Sequence, residues 1–268
     1  KENMKLFGGF VGDEPADYSV NVRNPLAHPS VLDGQYQNRV LHQTIDFEQA
    51  SVVDGFMLTR GQAETGAGAY LMSNTNLSKC RIVNNIVTGE GSAVVTAVHD
   101  TLKQLIVENN EGTGVNAESS HLIHCTVVKN NGYGIHLLGN TMLDFTYLCN
   151  SIIWGNTLHN LHFTSAMAQD YPPVQNCAIE NQLVNGENNI ILSSDNGNES
   201  GPHFINPTDS VGVVANLGDW HTDSSSVCVN AGAELSDLYG IHTDLTGQPR
   251  LQNEKADIGA LESPYNGE

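Results

Sequence analysis

Rings and polar tips recur at one repeating place in the middle of this chain. Tyr70, Asn116, His136 and His162, with Val95 among them, occupy equivalent positions in successive segments of similar length. Tyrosine and imidazole offer a flat face with a hydrogen-bonding edge, the combination on which a sugar ring stacks. His136 and His162 fall in neighbouring segments, where they could share a proton or a ligand. The plain reading of the column is a solvated ladder, since like groups pair across strands without any function. A second set, His99, Asp100, Glu118, His121 and Asp144, sits at turns and strand ends. If these converged they would make a general acid/base pair or a calcium cluster. Asp and His are also ordinary turn residues. No residue is assigned a catalytic role and no metal ligand set is identified. Calcium is the one cofactor the carboxylates would suit.

The elements that must position these side chains come from a nine-residue pattern that recurs six times, at Val53–Gly61, Leu77–Asn85, Leu102–Asn110, Leu122–Asn130, Leu148–Asn156 and Val174–Gln182. Its starts are 24, 25, 20, 26 and 26 residues apart, a period that means one unit stacked on copies of itself. The first column reads Val53, Leu77, Leu102, Leu122, Leu148, Val174, and the sixth Leu58, Ile82, Val107, Val127, Ile153, Ile179. The fourth column (Phe56, Cys80, Leu105, Cys125, Ser151, Cys177) and the sixth alternate with a variable fifth (Met57, Arg81, Ile106, Thr126, Ile152, Ala178), which is the period of a strand with one buried face. Asn85, Asn110, Asn130 and Asn156 in the ninth column predict a carboxamide ladder at a repeating turn. A further strand per unit carries the inward pairs Ala69/Leu71, Val94/Thr96, Val115/Ala117, Ile135/Leu137 and Leu161/Phe163. Gly68, Gly114 and Gly134 stand before it, where a tight corner needs a permissive backbone. The fold class is all-β, a single-stranded parallel β-helix with an irregular C-terminal cap.

The whole chain, 1–268, reads as one domain. Residues 1–50 form an N-terminal region with strands at Lys5–Val11, before Gly34, and over Val40–Phe47. Residues 51–182 are the repeated rungs. Beyond 183 the pattern is lost, with strands expected at Asn189–Leu192, Val211–Ala215 and Ser226–Val229, and a cap from the remainder, because a solenoid end exposes core and unpaired backbone.

The net charge is −19, from 11 Lys and Arg against 30 Asp and Glu. Such a surface repels phosphate backbones and anionic membranes, so neither is an expected partner, and no membrane span is expected because no apolar run is long enough to cross a bilayer. It also repels polyuronates unless cations bridge. The five cysteines sit at spacings that suit free thiols filling small apolar places, not disulfides or a zinc site. Low lysine with abundant Asn, Gly, Ser and Thr suits an extracellular or cell-surface location, and the chain is expected to be a monomer.

Val53-Asp54-Gly55-Phe56-Met57-Leu58, the Gly-Ala-Tyr and Gly-Ile-His rung starts, and Asn150–Asn156 resemble right-handed parallel β-helix proteins of the pectin-lyase-like superfamily. Lys5–Glu14, Ser226–Gly232, and Thr243–Arg250 followed by Asp257–Glu262 are similar to segments of bacterial cell-surface choice-of-anchor Q domain proteins, common in Bacteroides-type gut bacteria. Val227 and Asn230 stand where that group has Pro and Asp. The resemblance implies a fold and an exported location, and no activity. Enzymes on this fold attack acidic polysaccharides with a basic residue, or with clustered carboxylates. The chain lacks their motif series, and its rungs carry few basic groups, namely Arg60, Lys79, Arg81, Lys103 and Lys129. The expected function is therefore presentation of a carbohydrate- or partner-binding face to a polysaccharide or cell-surface glycan. A polysaccharide lyase or glycoside hydrolase is the alternative. Asp54 is expected to be a corner hydrogen-bonder, and Asp244, Arg250 and Asp257 to tie down the cap.

Overall fold

The computed structural model describes residues 1–15, 17–138, 146–164, 174–193, 201–252 and 254–265. Two corners per rung explain the nine-residue unit. Its third position (Gly55, Lys79, Gln104, His124, Asn150, Asn176) has φ between 47° and 83° in every copy, and its eighth (Arg60, Asn84, Asn109, Lys129, Gly155, Asn181) between 49° and 66°. A left-handed residue turns the strand sharply, and it costs an L-residue about 1–2 kcal/mol. Asn or Gly fills seven of these twelve places, which lowers that cost.

The corners divide each rung into short strands that pair only with their counterparts above and below. Three long parallel sheets result, with a two-stranded parallel pair, Gln62–Ala63 with Ile86–Val87, beside them. The first stacks Lys5–Phe7, Ser51–Asp54, Thr75–Ser78, Thr101–Lys103, His121–Ile123, Tyr147–Cys149 and Val174–Gln175. The second runs from Ser30–Asp33 through Phe56–Thr59, Arg81–Val83, Ile106–Glu108, Thr126–Val128, Ile152–Trp154 and Ala178–Glu180 to Ile190–Leu192. The third holds Leu41–His42, Ala69–Tyr70, Ser92–Thr96, Thr113–Ala117, Ile135–Leu137 and Leu161–Phe163. The chain is thus an all-β parallel solenoid, and the N-terminal strands supply a rung of their own beneath the repeats.

The core is the stack of aliphatic columns. Val53, Leu77, Leu102, Leu122, Leu148 and Val174 are paired in unbroken register and buried. So are Leu58, Ile82, Val107, Val127, Ile153 and Ile179. The carboxamide ladder forms at the second corner. Each Nδ2 donates to the Oδ1 one step up, Asn85 to Asn110 (2.9 Å), Asn110 to Asn130 (2.9 Å), Asn130 to Asn156 (3.0 Å), and Asn156 to Asn160 (2.9 Å). Asn160 closes the series, while Gln182 bonds the backbone of Leu161 instead. Gly114 and Gly134 serve closeness, not left-handed backbone: a Cβ would meet the carbonyl of Gly134 at 2.6 Å and of Asn160 at 2.5 Å respectively.

The C-terminal segment is irregular and lies along the flank of the solenoid, over the outer face of the second sheet. Trp220, Leu245, Ala260 and Leu261 pack on Ile106 and Val128; Cys228 and Ile258 pack on Ile152 and Ala178. The variable fifth column is therefore buried too from Ile106 through Thr126 and Ile152 to Ala178, while Met57 and Arg81 are half-buried. Both corner columns hold the segment by hydrogen bonds. Asn84 exchanges two bonds with Val214 (2.9 Å each), Asn109 donates to Ser210 O (2.8 Å), and Asn150 exchanges two with Ala233 (2.8 Å each). The strands expected at Val211–Ala215 and Ser226–Val229 are turns and coil: Val214 bonds the Asn84 side chain of a rung, and Ser226–Val229 closes turns on Asp223 and Ser226. The antiparallel pair is Phe204–Asn206 with Asp219–Thr222. Asp244, Arg250 and Asp257 do tie the segment down: Arg250 Nε lies 2.9 Å from Glu262 Oε1 in a fully buried ion pair, Asp257 accepts from the Asn230 and Ser263 amides, and Asp244 from Thr246, Gln248 and Glu262. Glu262, whose carboxylate burial pushes up to about 8, was not anticipated as the partner.

Candidate functional site

Of the three sheets, the third keeps a solvent-facing outer surface populated by rings. Its outward column is in the predicted register: His42 pairs with Tyr70, Tyr70 with Val95, Val95 with Asn116, Asn116 with His136, and His136 with His162. The pleat sends alternate side chains out, so these residues line up along the solenoid axis. At one end of the column the His136 and His162 rings stand 4.7 Å apart. Tyr133 stacks on His162 at 4.4 Å and 11°, and lies near-parallel to His159 at 6.2 Å and 16°. His136 Nε2 lies 3.0 Å from Thr164 Oγ1. Burial, then the neighbouring His162, holds the His136 imidazole below its ordinary pKa and so favours the neutral ring.

At the other end, the Arg39 guanidinium sits 4.8 Å over the Tyr70 ring and His42 meets that ring edge-on. Asn116 lies between the two groups with its Oδ1 buried. His159 also lines a shallow pocket of about 280 Å³ with Asn156, Asn160, Glu180, Asn181 and Gln182. There Glu180 Oε2 accepts from Gly155 N (2.6 Å) and Asn160 Nδ2 (3.1 Å). Four rings beside carboxamides and a carboxylate can cover a flat apolar face and bond the hydroxyls around it.

The described members of the second set do not converge. Asp100 turns inward and is buried, its oxygens accepting Thr75 N (2.8 Å) and Ala97 N (3.0 Å). Burial raises its carboxyl to about 6, against the lowering effect of those amides. His121 points outward on the first sheet, between Tyr147 and Tyr239, whose hydroxyl is 3.2 Å from Nδ1. Burial, then His99, keeps it below its ordinary pKa. His99 and Glu118 are exposed. Asp144 lies outside the described residues. Among the described residues no group of three or more His, Cys, Asp or Glu is placed to hold a metal ion.

Tyr133, His159, His42 and Arg39 were not singled out from the sequence. Tyr133 and His159 sit just before strands, off the period-two column, and only the stacking of rungs brings their rings to His136 and His162. No protein-family model, curated protein or solved structure matches this chain. No helix among the described residues is long and apolar enough to cross a membrane.

Proposed function

We propose that this protein is an exported, cell-surface β-solenoid that binds carbohydrate along the outer face of its third sheet. The observation that carries the reading is the ring array of Tyr133, His136, His159 and His162 beside the polar pocket at Glu180. Stacked rings leave an apolar platform at the surface, and a neutral imidazole, the form favoured for His136, offers both a donor and an acceptor to sugar hydroxyls. The resemblance to pectin-lyase-like and choice-of-anchor Q proteins supports the location. Binding without cleavage is favoured over hydrolysis because the pocket carboxylate, Glu180, is committed to an amide and a carboxamide, whereas hydrolysis needs two opposed carboxyls.

A glycan array followed by calorimetric titration of the hits tests the proposal. Tyr133→Ala and His162→Ala should each weaken binding about 5- to 10-fold through lost stacking. Absence of binding to every neutral and acidic glycan, or affinity unchanged in both variants, overturns it.

A further inference from the structure

A second site lies on the opposite side of the rung, and its chemistry is ionic. In a chain with 30 acidic and 11 basic residues, two lysines are largely withdrawn from water and face one cleft. Lys79 is 9 % exposed and Lys103 half-buried. The cleft forms where the first sheet meets both the N-terminal turn around Asn21 and the C-terminal segment at Gly240–Thr243. Its lining includes Arg23, Asp54, Lys79, Lys103, Gln104 and Thr243.

Each ammonium donates to a neutral oxygen. Lys79 Nζ donates to Thr243 Oγ1 (2.5 Å) and Lys103 Nζ to the Tyr239 carbonyl (3.1 Å). Among the described residues neither has a carboxylate within 4 Å, since every such ion pair there involves Arg or His. The carboxylates in the vicinity are already engaged. Asp54 is held by Arg23 and by Ser78 Oγ (2.7 Å). Asp244 accepts from Thr246 N and Oγ1, Gln248 N and Glu262 N. Arg23 in turn bonds Val20 O, Gly8 O and Asp54, so the Arg23–Asp54 pair is neutral and, among the described residues, neither lysine has a carboxylate ion-pair partner.

Buried charge is ordinarily paired. Burial depresses the Lys79 ammonium to about 8 and lowers Lys103 in the same direction, against the opposing pull of Asp54 on both and of Asp244 on Lys79. The open space is about 80 Å³ for the centres of water-sized groups, against the ~10–15 Å³ that one water requires. That is room for a compact group with several oxygens.

We propose that this cleft is an oxyanion-binding site, in which Lys79 and Lys103 clamp a sulfate, phosphate or carboxylate group. Such a group reaches it either as a free ion or as the anionic substituent of an acidic saccharide. The site closes three parts of the chain on one ligand, because Lys79 and Lys103 come from successive rungs and Thr243 from the C-terminal segment. Neither it nor its test depends on the third-sheet ring array.

The full chain is titrated with inorganic sulfate and with inorganic phosphate at constant ionic strength, with chloride as the reference anion. A monosaccharide uronate and a sulfated monosaccharide form the second arm. Thermal shift and calorimetry are the readouts. The expected result is saturable binding of at least one inorganic oxyanion, weakened about tenfold or more in Lys79→Met and in Lys103→Met, as loss of a charge-assisted hydrogen bond predicts. Saccharide binding above that of the free ion assigns the saccharide as the source; equal or weaker binding assigns the free ion. Met keeps the apolar stem and removes a buried charge that has no ion-pair partner among the described residues, so both variants are expected to fold, and Lys129→Met, at a corner outside the cleft, is the control. No saturable binding of any of these anions, or binding unchanged in both cleft variants, overturns the proposal.

Discussion

Replacing Asn110 with alanine should destabilise the solenoid by about 3–5 kcal/mol, a large part of the ~5–15 kcal/mol available to a typical domain. Asn110 is fully buried. Its Nδ2 lies within hydrogen-bonding distance of Ile82 O (3.1 Å), Glu108 O (3.0 Å) and Asn130 Oδ1 (2.9 Å), and its Oδ1 accepts from Asn85 N (3.0 Å) and Asn85 Nδ2 (2.9 Å). Each such bond is worth about 1 kcal/mol net, and a buried donor left without an acceptor costs about 1–3 kcal/mol. Truncation orphans the Asn85 amide while Asn85 Nδ2 retains Leu58 O and Val83 O. Several lost bonds and one orphan therefore set the range. Equilibrium denaturation in guanidinium, followed by far-ultraviolet circular dichroism, gives the difference, with the exposed Asn131→Ala as the reference for an asparagine outside the ladder. A loss below about 1 kcal/mol, with an unchanged denaturant slope, would refute the claim that the ladder holds the rungs together.

Stability should fall as pH drops below about 6.5, with His124 a principal cause. Its Nε2 accepts from Asn150 Nδ2 (2.9 Å), an amide whose orientation is set by two bonds to Ala233, and burial followed by the nearby Arg250 holds it well below its ordinary value. The unfolded chain takes up the proton first, so the contribution is complete above pH 6.5 and lost below it; His124→Gln should remove up to about 2 kcal/mol of the difference between pH 7 and pH 5 measured in urea. All five cysteines are free and buried, and burial pushes Cys80, Cys125 and Cys228 up to about 12. A thiol reagent at pH 8 should accordingly titrate none of them within minutes in the native protein and five after unfolding; fast native labelling of any one would contradict that burial.

The register of the stack was legible because aliphatic columns at a fixed period leave one way to superimpose the rungs. Val53 over Leu77 over Leu102, and Tyr70 through His162, are found where the columns place them. The corners were less legible, although every copy has them at the same two positions. Lys79, Gln104 and His124 are not residues that announce a left-handed backbone, and they are tolerated there because their side chains bond the C-terminal segment or the groups that anchor it. The same segment hid the second buried face. Ile106, Ile152 and Ala178 carried the apolar signal, but a two-residue period shows which face a side chain takes and not what covers it. Tyr133 and His159 escaped for the opposite reason. They belong to no column, and their proximity to His136 and His162 arises only from the third dimension.

A stack of repeats ordinarily couples each layer to its nearest neighbours alone, so that unzipping can begin at either end and travel. Here residues 210–214 hook onto Lys129, Asn109 and Asn84, and Ala233 through Thr243 run from Asn150 back to Lys79. That girdle couples distant layers directly, and it converts a chain of local equilibria into one cooperative transition. It also leaves the ribosome after the rungs it clasps. Until it arrives, Ile106, Val128 and Ile152 form an uncovered oily stripe along the nascent tube, which makes this interval, and any product shortened within it, the stage at which chaperones and proteases have most to act upon.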